Sequence, residues 1–413
     1  MGNINDRPRF EHGDIYLELH LPYAVSGERF TGNVHINLSQ PYPVKALDIG
    51  IKGKEKIRWD RRRTTTDTFE TERVWKSDEP IFKIFEIYQF EDAVALPGQY
   101  TIPFSILIPN GLPSSVYYSG RSNSKAVIDY SIKAIMRQPK GTMAKEMSFK
   151  SSLTMLEEPP HISQSISDSV EAPIMSGCGC VNNGTVKFRV RFPKDSYAIN
   201  EVCNLQCSVD NSQCNLPVQS IRVKIKQYVN LRGPLWHTLD RSYTKLEKDC
   251  DGVEANQSTG EFGRNISIDL SSIPGTINEG IFHGIVTDLD EERELTEYIQ
   301  PSTNGKYTTI SYILSVKLIY NVECGEAPGC EIPLYIHAAK LPPQNLIQAP
   351  EGWNPVILGD EQYGLPVDPP EGLLIQDEHS DISLQAPLPA ADFPAHPAAP
   401  LKQKKEGLEE TLL

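Results

Sequence analysis

Apolar residues along this chain recur at every second position over short stretches, and nowhere with the sustained spacing of a helix face. Ile15, Leu17 and Leu19 alternate with Tyr16, Glu18 and His20. Phe30, Gly32, Val34, Ile36 and Leu38 follow, then Leu47, Ile49, Ile51, Ile57 and Trp59, then Phe82 to Phe90. The clearest case is Tyr100, Ile102, Phe104, Ile106 and Ile108, interleaved with Thr101, Pro103, Ser105, Leu107 and Pro109. A period of two puts those bulky side chains on one face of an extended strand. Pro103 and Pro109 lack an amide hydrogen, so this strand needs an edge position or a break in its ladder. Ile128 to Met136 alternates again, while the charged, Thr-rich stretch from Arg61 to Asp78 reads as a long hairpin loop.

Residues 151–177, with Glu157-Glu158-Pro159-Pro160 and then a Ser-rich run, read as a linker, after which the pattern restarts. Val186, Phe188, Val190 and Phe192 alternate, as do Cys203, Leu205, Cys207 and Val209, then Ile221, Val223 and Ile225, and finally Ile310 to Tyr320. The halves look like copies: Tyr23 and Tyr130 parallel Tyr197 and Tyr312, at separations of 107 and 115 residues. Short alternating strands at this spacing predict an all-β chain of two tandem, antiparallel, immunoglobulin-like β-sandwiches, residues 9–150 and 178–340, behind a flexible 1–8 segment. At 413 residues the chain is long enough for two such cores.

Gly98-Gln-Tyr100, the Ile102-Pro103-Phe104-Ser105 core and the Ile108-Pro109…Leu112-Pro113-Ser114-Ser115 ending resemble a segment of the arrestin amino-terminal domain. Val209-Asp210-Asn211-Ser212 with Val218 to Gln227, and Glu331 to Ile336, resemble segments of the arrestin carboxy-terminal domain. The similarity runs over about residues 10–340, is carried by order and spacing, and is of the broad alpha-arrestin kind. It implies two sandwiches joined by a short hinge, acting as a cytosolic adaptor in endocytosis and membrane-protein transport. Its partners would be membrane-protein cytoplasmic tails and trafficking adaptors, at the plasma membrane or endosomes. A retromer-type sorting subunit of the same fold, binding through fixed interfaces, is the alternative.

Charge sharpens this picture. The net charge is −14, yet residues 1–177 hold 21 Lys/Arg against 22 Asp/Glu, residues 178–340 hold 16 against 20, and residues 341–413 hold 3 against 12. Balanced domains argue against a nucleic-acid binder, which must neutralise phosphates. From Pro342 to Pro400 there are 12 prolines, so 341–413 reads as a disordered acidic tail with one apolar island, Trp353 to Leu358, able to dock on a sandwich or on a partner. The start, Met1 to Asp6, has no export core, and Asp6 stands where N-myristoylation wants Ser or Thr.

One strand concentrates cations. Lys52, Lys54, Lys56 and Arg58 alternate with Ile51, Gly53, Glu55, Ile57 and Trp59, and Arg61, Arg62 and Arg63 follow. Cations about 6.5–7 Å apart on one strand face suit phosphates, on phosphorylated tails or anionic membrane lipids. A solvated face whose lysines discourage edge pairing is the structural alternative.

All eight cysteines lie between Cys178 and Cys330. Cys203 and Cys207 are in phase with core positions. Cys178 and Cys180, with Cys324 and Cys330, would supply four thiolates to a zinc site if the fold brings these loop-base pairs together, although their spacing is not the usual one.

Within the tail, Leu373, Leu374 and Asp377 approximate a clathrin box, and Leu412-Leu413 an acidic dileucine signal; Pro-Pro-x-Tyr is absent. The chain has no phosphate-binding Gly-rich loop, no His-Glu-x-x-His and no Gly-x-Ser-x-Gly, so no enzymatic activity and no cofactor are expected.

Overall fold

The structure is a computed structural model that describes residues 9–65, 68–143, 145–158, 163–177, 179–260, 263–273, 294–322, 327–338, 352–359 and 365–367. The first half contains β1 (Gly13–Leu19), β2 (Arg29–Leu38), β3 (Ala46–Thr65), β4 (Thr68–Gln89), β5 (Gly98–Leu107), β6 (Ser124–Arg137) and β7 (Ser148–Leu156). Then come β8 (Ile166–Ser176), β9 (Val181–Phe192), β10 (Val202–Cys214), β11 (Val218–Arg232), β12 (Thr238–Val253) and β13 (Arg264–Asp269). The set closes with β14 (Thr308–Tyr320), β15 (Gly329–His337) and two short tail strands, β16 (Val356–Ile357) and β17 (Leu365–Val367).

Both halves are two-sheet sandwiches. The amino-terminal one packs β1-β2-β5 against β4-β3-β6-β7; the carboxy-terminal one packs β8-β9-β10-β13 against β15-β14-β11-β12. The alternation explains this: Ile102, Phe104, Ile106 and Ile108 are all buried, and so are Val186, Phe188, Val190 and Phe192. A sheet with one such apolar face is stable only when another sheet covers it. Cys203 and Cys207 are fully buried core residues, as their phase predicts. Among the described residues no helix is long and apolar enough to cross a membrane.

The duplication extends to detail. Tyr23–Val25 pairs in parallel with β7, and Ser196–Ala198 pairs in parallel with β15. Tyr130 lies opposite Gly53 and Tyr312 opposite Gln227, which aligns β3 with β11 position by position.

Three expectations change. Arg61 to Asp78 is not a loop: β3 and β4 stay paired down to Thr65 opposite Thr68. The register puts Glu72 opposite Arg61 and Glu70 opposite Arg63, so the charged run is suited to cross-strand pairing. The 151–177 linker is mostly strand as well, since β7 runs to Leu156 and β8 begins at Ile166. Ile166, Val170 and Ile174 recur every fourth residue, in phase on one strand face within the Ser-rich run, and Ile174 is buried. Finally, the tail island is ordered: β16 adds to β5 in parallel, and β17 adds to β4. β5 is thus the sheet-edge strand that Pro103 requires, and Trp353 to Leu358 covers part of that edge.

Candidate anion-binding face and domain interface

The basic residues of β3 sit as the strand period dictates. Ile51, Gly53, Glu55 and Ile57 are buried, whereas Lys52, Lys54 and Lys56 on the opposite face are half-buried. Strand β6 lies alongside, with Lys125 opposite Arg58, Val127 opposite Lys56, Asp129 opposite Lys54 and Ser131 opposite Lys52. One step on, Lys133 lies opposite Lys150 of β7 and meets Glu146 at 3.6 Å. On the β4 side Ser77 lies opposite Lys56 and Phe82 opposite Lys52, and the register shift brings Glu79 and Pro80 opposite Lys54. Burial pushes the Asp129 carboxyl above its ordinary range, opposed by Lys56, Lys54 and Lys150, which places that carboxylate among the cations.

Arg58 and Arg61 do different work. Arg58 is only 9% exposed, and its Nη2 donates to Asn123 Oδ1 at 3.2 Å. Asn123 Nδ2 in turn donates to Asp60 Oδ2 at 3.1 Å, which braces the turn between Gly120 and Ser124. Arg61, in phase with Trp59, belongs to the other face, and its guanidinium meets His237 Nδ1 at 2.9 Å. Arg62 and Arg63 fall on β3, but their side chains lie outside the described residues.

That other face of β3 holds a feature the alternation of residues does not display. Glu55, 2% exposed, accepts hydrogen bonds from the backbone amides of Lys306 at 2.9 Å and Tyr307 at 3.0 Å. Glu157 accepts from Thr303 Oγ1 at 2.8 Å, and that hydroxyl accepts from the Ser114 amide at 3.0 Å. Gln300 and Tyr117 exchange hydrogen bonds, and Tyr118 and Tyr243 join hydroxyl to hydroxyl at 2.7 Å. Residues 295–307 of the second sandwich are thereby fastened to the first. Burial raises both the Glu55 and Glu157 carboxyls, and hydrogen bonds from the clamped segment counter it. The available signal was Glu55 itself, a charge in phase with Ile51, Ile57 and Trp59 on a face meant for burial.

Beside this interface lies a cleft of about 570 Å³ lined by Arg121, Ser122, Arg241, Tyr243, Thr296 and Glu297, among others. Lys245, behind it, donates to the carbonyls of Thr296 and Tyr298, both at 2.6 Å, and burial lowers its amine to about 7.

The cysteines scatter. Cys180 is exposed in the β8–β9 turn, while Cys330 is buried in β15 with its thiol against Asp168. Asp168 and Ser176, at the turn end of β8, are eight residues apart, about 25 Å of strand. Cys178 and Cys324 lie outside the described residues, and among the described residues no group of three or more His, Cys, Asp and Glu could hold a metal. Leu373, Leu374, Asp377, Leu412 and Leu413 also lie outside the described residues.

The arrestin (or S-antigen) N-terminal domain family model matches residues 14–158, and the C-terminal domain model matches residues 182–341. No curated protein matches the chain. Two matched domains in the family's order, on twin sandwiches clamped through residues 295–307, make this chain a member of the arrestin-like family.

Proposed function

We propose that the protein is a non-enzymatic adaptor of the alpha-arrestin kind, acting at the cytoplasmic side of the plasma membrane or endosomes in membrane-protein trafficking. Phosphorylated cytoplasmic tails dock along the outer face of β3, where Lys52, Lys54 and Lys56 hold phosphates at alternate positions of an extended peptide. Residues 368–413, with Leu373, Leu374, Asp377, Leu412 and Leu413, recruit sorting machinery. The observation that carries this reading is the shared face of Lys52, Lys54 and Lys56, extended across the sheet register by Lys133 and Lys150. Charge-assisted bonds to phosphate are the stronger class of hydrogen bond, and several in a row give affinity without a deep pocket.

The test uses the full chain and a synthetic peptide with phosphoserines at alternate positions, read by fluorescence anisotropy. Lys54→Glu with Lys56→Glu should weaken the phosphopeptide on the order of tenfold, about 1.4 kcal/mol, and leave the unphosphorylated peptide unaffected. If the wild-type protein does not distinguish the two peptides, the reading is wrong.

A further inference from the structure

The turn joining β11 to β12 presents its two largest side chains to solvent. In Gly233-Pro234-Leu235-Trp236-His237, Leu235 is 83% exposed and Trp236 is 97% exposed. Both have left-handed backbone angles, with φ of 53° and 62°, a conformation that L-residues with large side chains rarely adopt. The turn is nonetheless held firmly. The Gly233 amide donates to the His237 carbonyl at 2.7 Å, and the His237 amide donates to the Pro234 carbonyl at 3.1 Å. The Gly233 Cα lies so close to Trp59 and Val74 that an added methyl would meet both within 3 Å. The Arg61–His237 contact pins the far side. Local strain is therefore spent on holding an apolar tip outward.

Cations lie beside the base of this turn, with Arg61 in contact with His237 and the Arg232 guanidinium donating to the Gly305 carbonyl and Thr309 hydroxyl. Arg61, Arg73, Lys76, Arg232 and Lys306 are all exposed. The Arg232 amide donates to the Tyr307 carbonyl, and Lys76 and Lys306 both lie over the Tyr307 ring, at 5.9 and 5.4 Å. Arg73 sits by Asp60, next to Arg61. Acids among the described side chains here include Asp60, held by Arg73 and Asn123, Asp240, held by Asn230, and the buried Glu55, held by the Lys306 and Tyr307 amides.

We propose that the Gly233–His237 turn is a membrane-seating wedge: Leu235 and Trp236 enter the interfacial layer of an anionic bilayer, and the neighbouring Arg and Lys residues lie against its headgroups. Trp, with an apolar ring and one N–H donor, suits the boundary between headgroup and acyl chain. Basic residues near an anionic leaflet add attraction that reaches only about one Debye length. A convex tip with cations beside its base fits a deformable, negatively charged surface. A single shallow insertion binds weakly and reversibly, as an adaptor that must leave the membrane requires. This surface is separate from the β3 lysine face, so either assignment can fail while the other stands.

The experiment is flotation of the full chain with vesicles of phosphatidylcholine alone or mixed with phosphatidylserine. Binding is expected only to the mixed vesicles and should fall with added salt. Leu235→Ser with Trp236→Ser should reduce it at least tenfold without changing the thermal midpoint, since neither side chain packs against the core. Brominated acyl chains should quench tryptophan emission in the wild type, and Trp236→Ser should remove that quenching. The proposal is overturned if the double variant floats like the wild type, or if the wild type ignores anionic vesicles. It is equally overturned if the double variant instead loses binding to a receptor-tail peptide in the absence of lipid, which would make the tip a protein contact.

Discussion

The aligned strands β3 and β11 carry basic residues on corresponding outer faces, but their neighbours treat them differently. On β11, Arg222 meets Asp249 at 2.8 Å and Glu247 at 3.3 Å, Lys224 meets Glu247 at 3.0 Å, and Lys226 meets Glu331 at 3.1 Å. Strand β12, beside β11, and strand β15, beyond β14, supply those carboxylates. Around β3, Asp129 of β6 lies among Lys54, Lys56 and Lys150, and Lys133 of β6 meets Glu146 at 3.6 Å. A duplicated strand has thus become a ladder of close ion pairs to acids on other strands in one domain, and in the other a strand whose lysines share the neighbourhood of one β6 carboxylate with a lysine of β7. The placement of the flanking acids, rather than the cationic strand itself, distinguishes the two faces.

The two halves also differ in how they satisfy their equivalent tyrosines, and the largest predicted effect tests this. The Tyr312 hydroxyl, fully buried, accepts from Gln227 Nε2 at 2.6 Å and from the Gln300 amide at 3.0 Å, and donates to the Gln300 carbonyl at 2.6 Å. Among the described residues, Tyr130 donates to the Pro113 carbonyl alone, at 2.7 Å. Removing a hydroxyl that leaves several buried partners unmet costs more than removing one that leaves a single carbonyl. Tyr312→Phe should lower stability by about 2–3 kcal/mol and Tyr130→Phe by about 1 kcal/mol in urea unfolding. Equal losses would show that the second domain's network is not the tighter one.

Asp48 gives the next effect. It occupies the β3 position that Arg222 holds on β11, yet it is fully buried beside Arg137, whose Nε lies 3.1 Å from it. Burial pushes its carboxyl up to about 7, with Arg137 opposing and Glu86 reinforcing the rise. Because the folded state keeps this proton between about pH 4 and 7 while the unfolded chain has lost it, this group's contribution to stability falls as pH rises through that window. Asp48→Asn should therefore gain on the wild type by a few degrees in thermal midpoint from pH 5 to pH 8. Arg222→Gln, on an exposed ion pair, should run parallel to the wild type across the same range. A flat difference curve for Asp48→Asn would remove the contrast.

The period-two pattern made the sandwiches legible because Ile102, Phe104, Ile106 and Ile108 can share a buried face in only one way. Pro103 announced the edge strand, and the paired tyrosines announced the duplication. The Arg61–Asp78 stretch was misread because its strand character depends on cross-strand partners such as Glu72 and Glu70, which no local window contains. Glu55 was read as a spacer within a basic ladder; its role depends on amides some 250 residues away. Trp236 was illegible for a related reason: an isolated Trp in a Gly-Pro turn gives no sign of whether it will be buried. Trp353 and Leu358 were recognised as an island, but only the open edge of β5 decides where they go.

The smallest effect bears directly on the comparison of the two ladders. Lys226 and Glu331 form a partly exposed pair, and such pairs contribute little, so Lys226→Gln should cost about 0.5 kcal/mol or less. Its charge is already matched by Glu331, so the same change should leave phosphopeptide affinity within error of the wild type. Lys54→Gln, equally conservative in size, should weaken the phosphopeptide measurably, because Lys54 belongs to the face proposed to hold its phosphates. If both substitutions weaken the peptide alike, the ligand is reading overall positive charge. The place of Lys54 on the β3 face would then not be what selects the ligand.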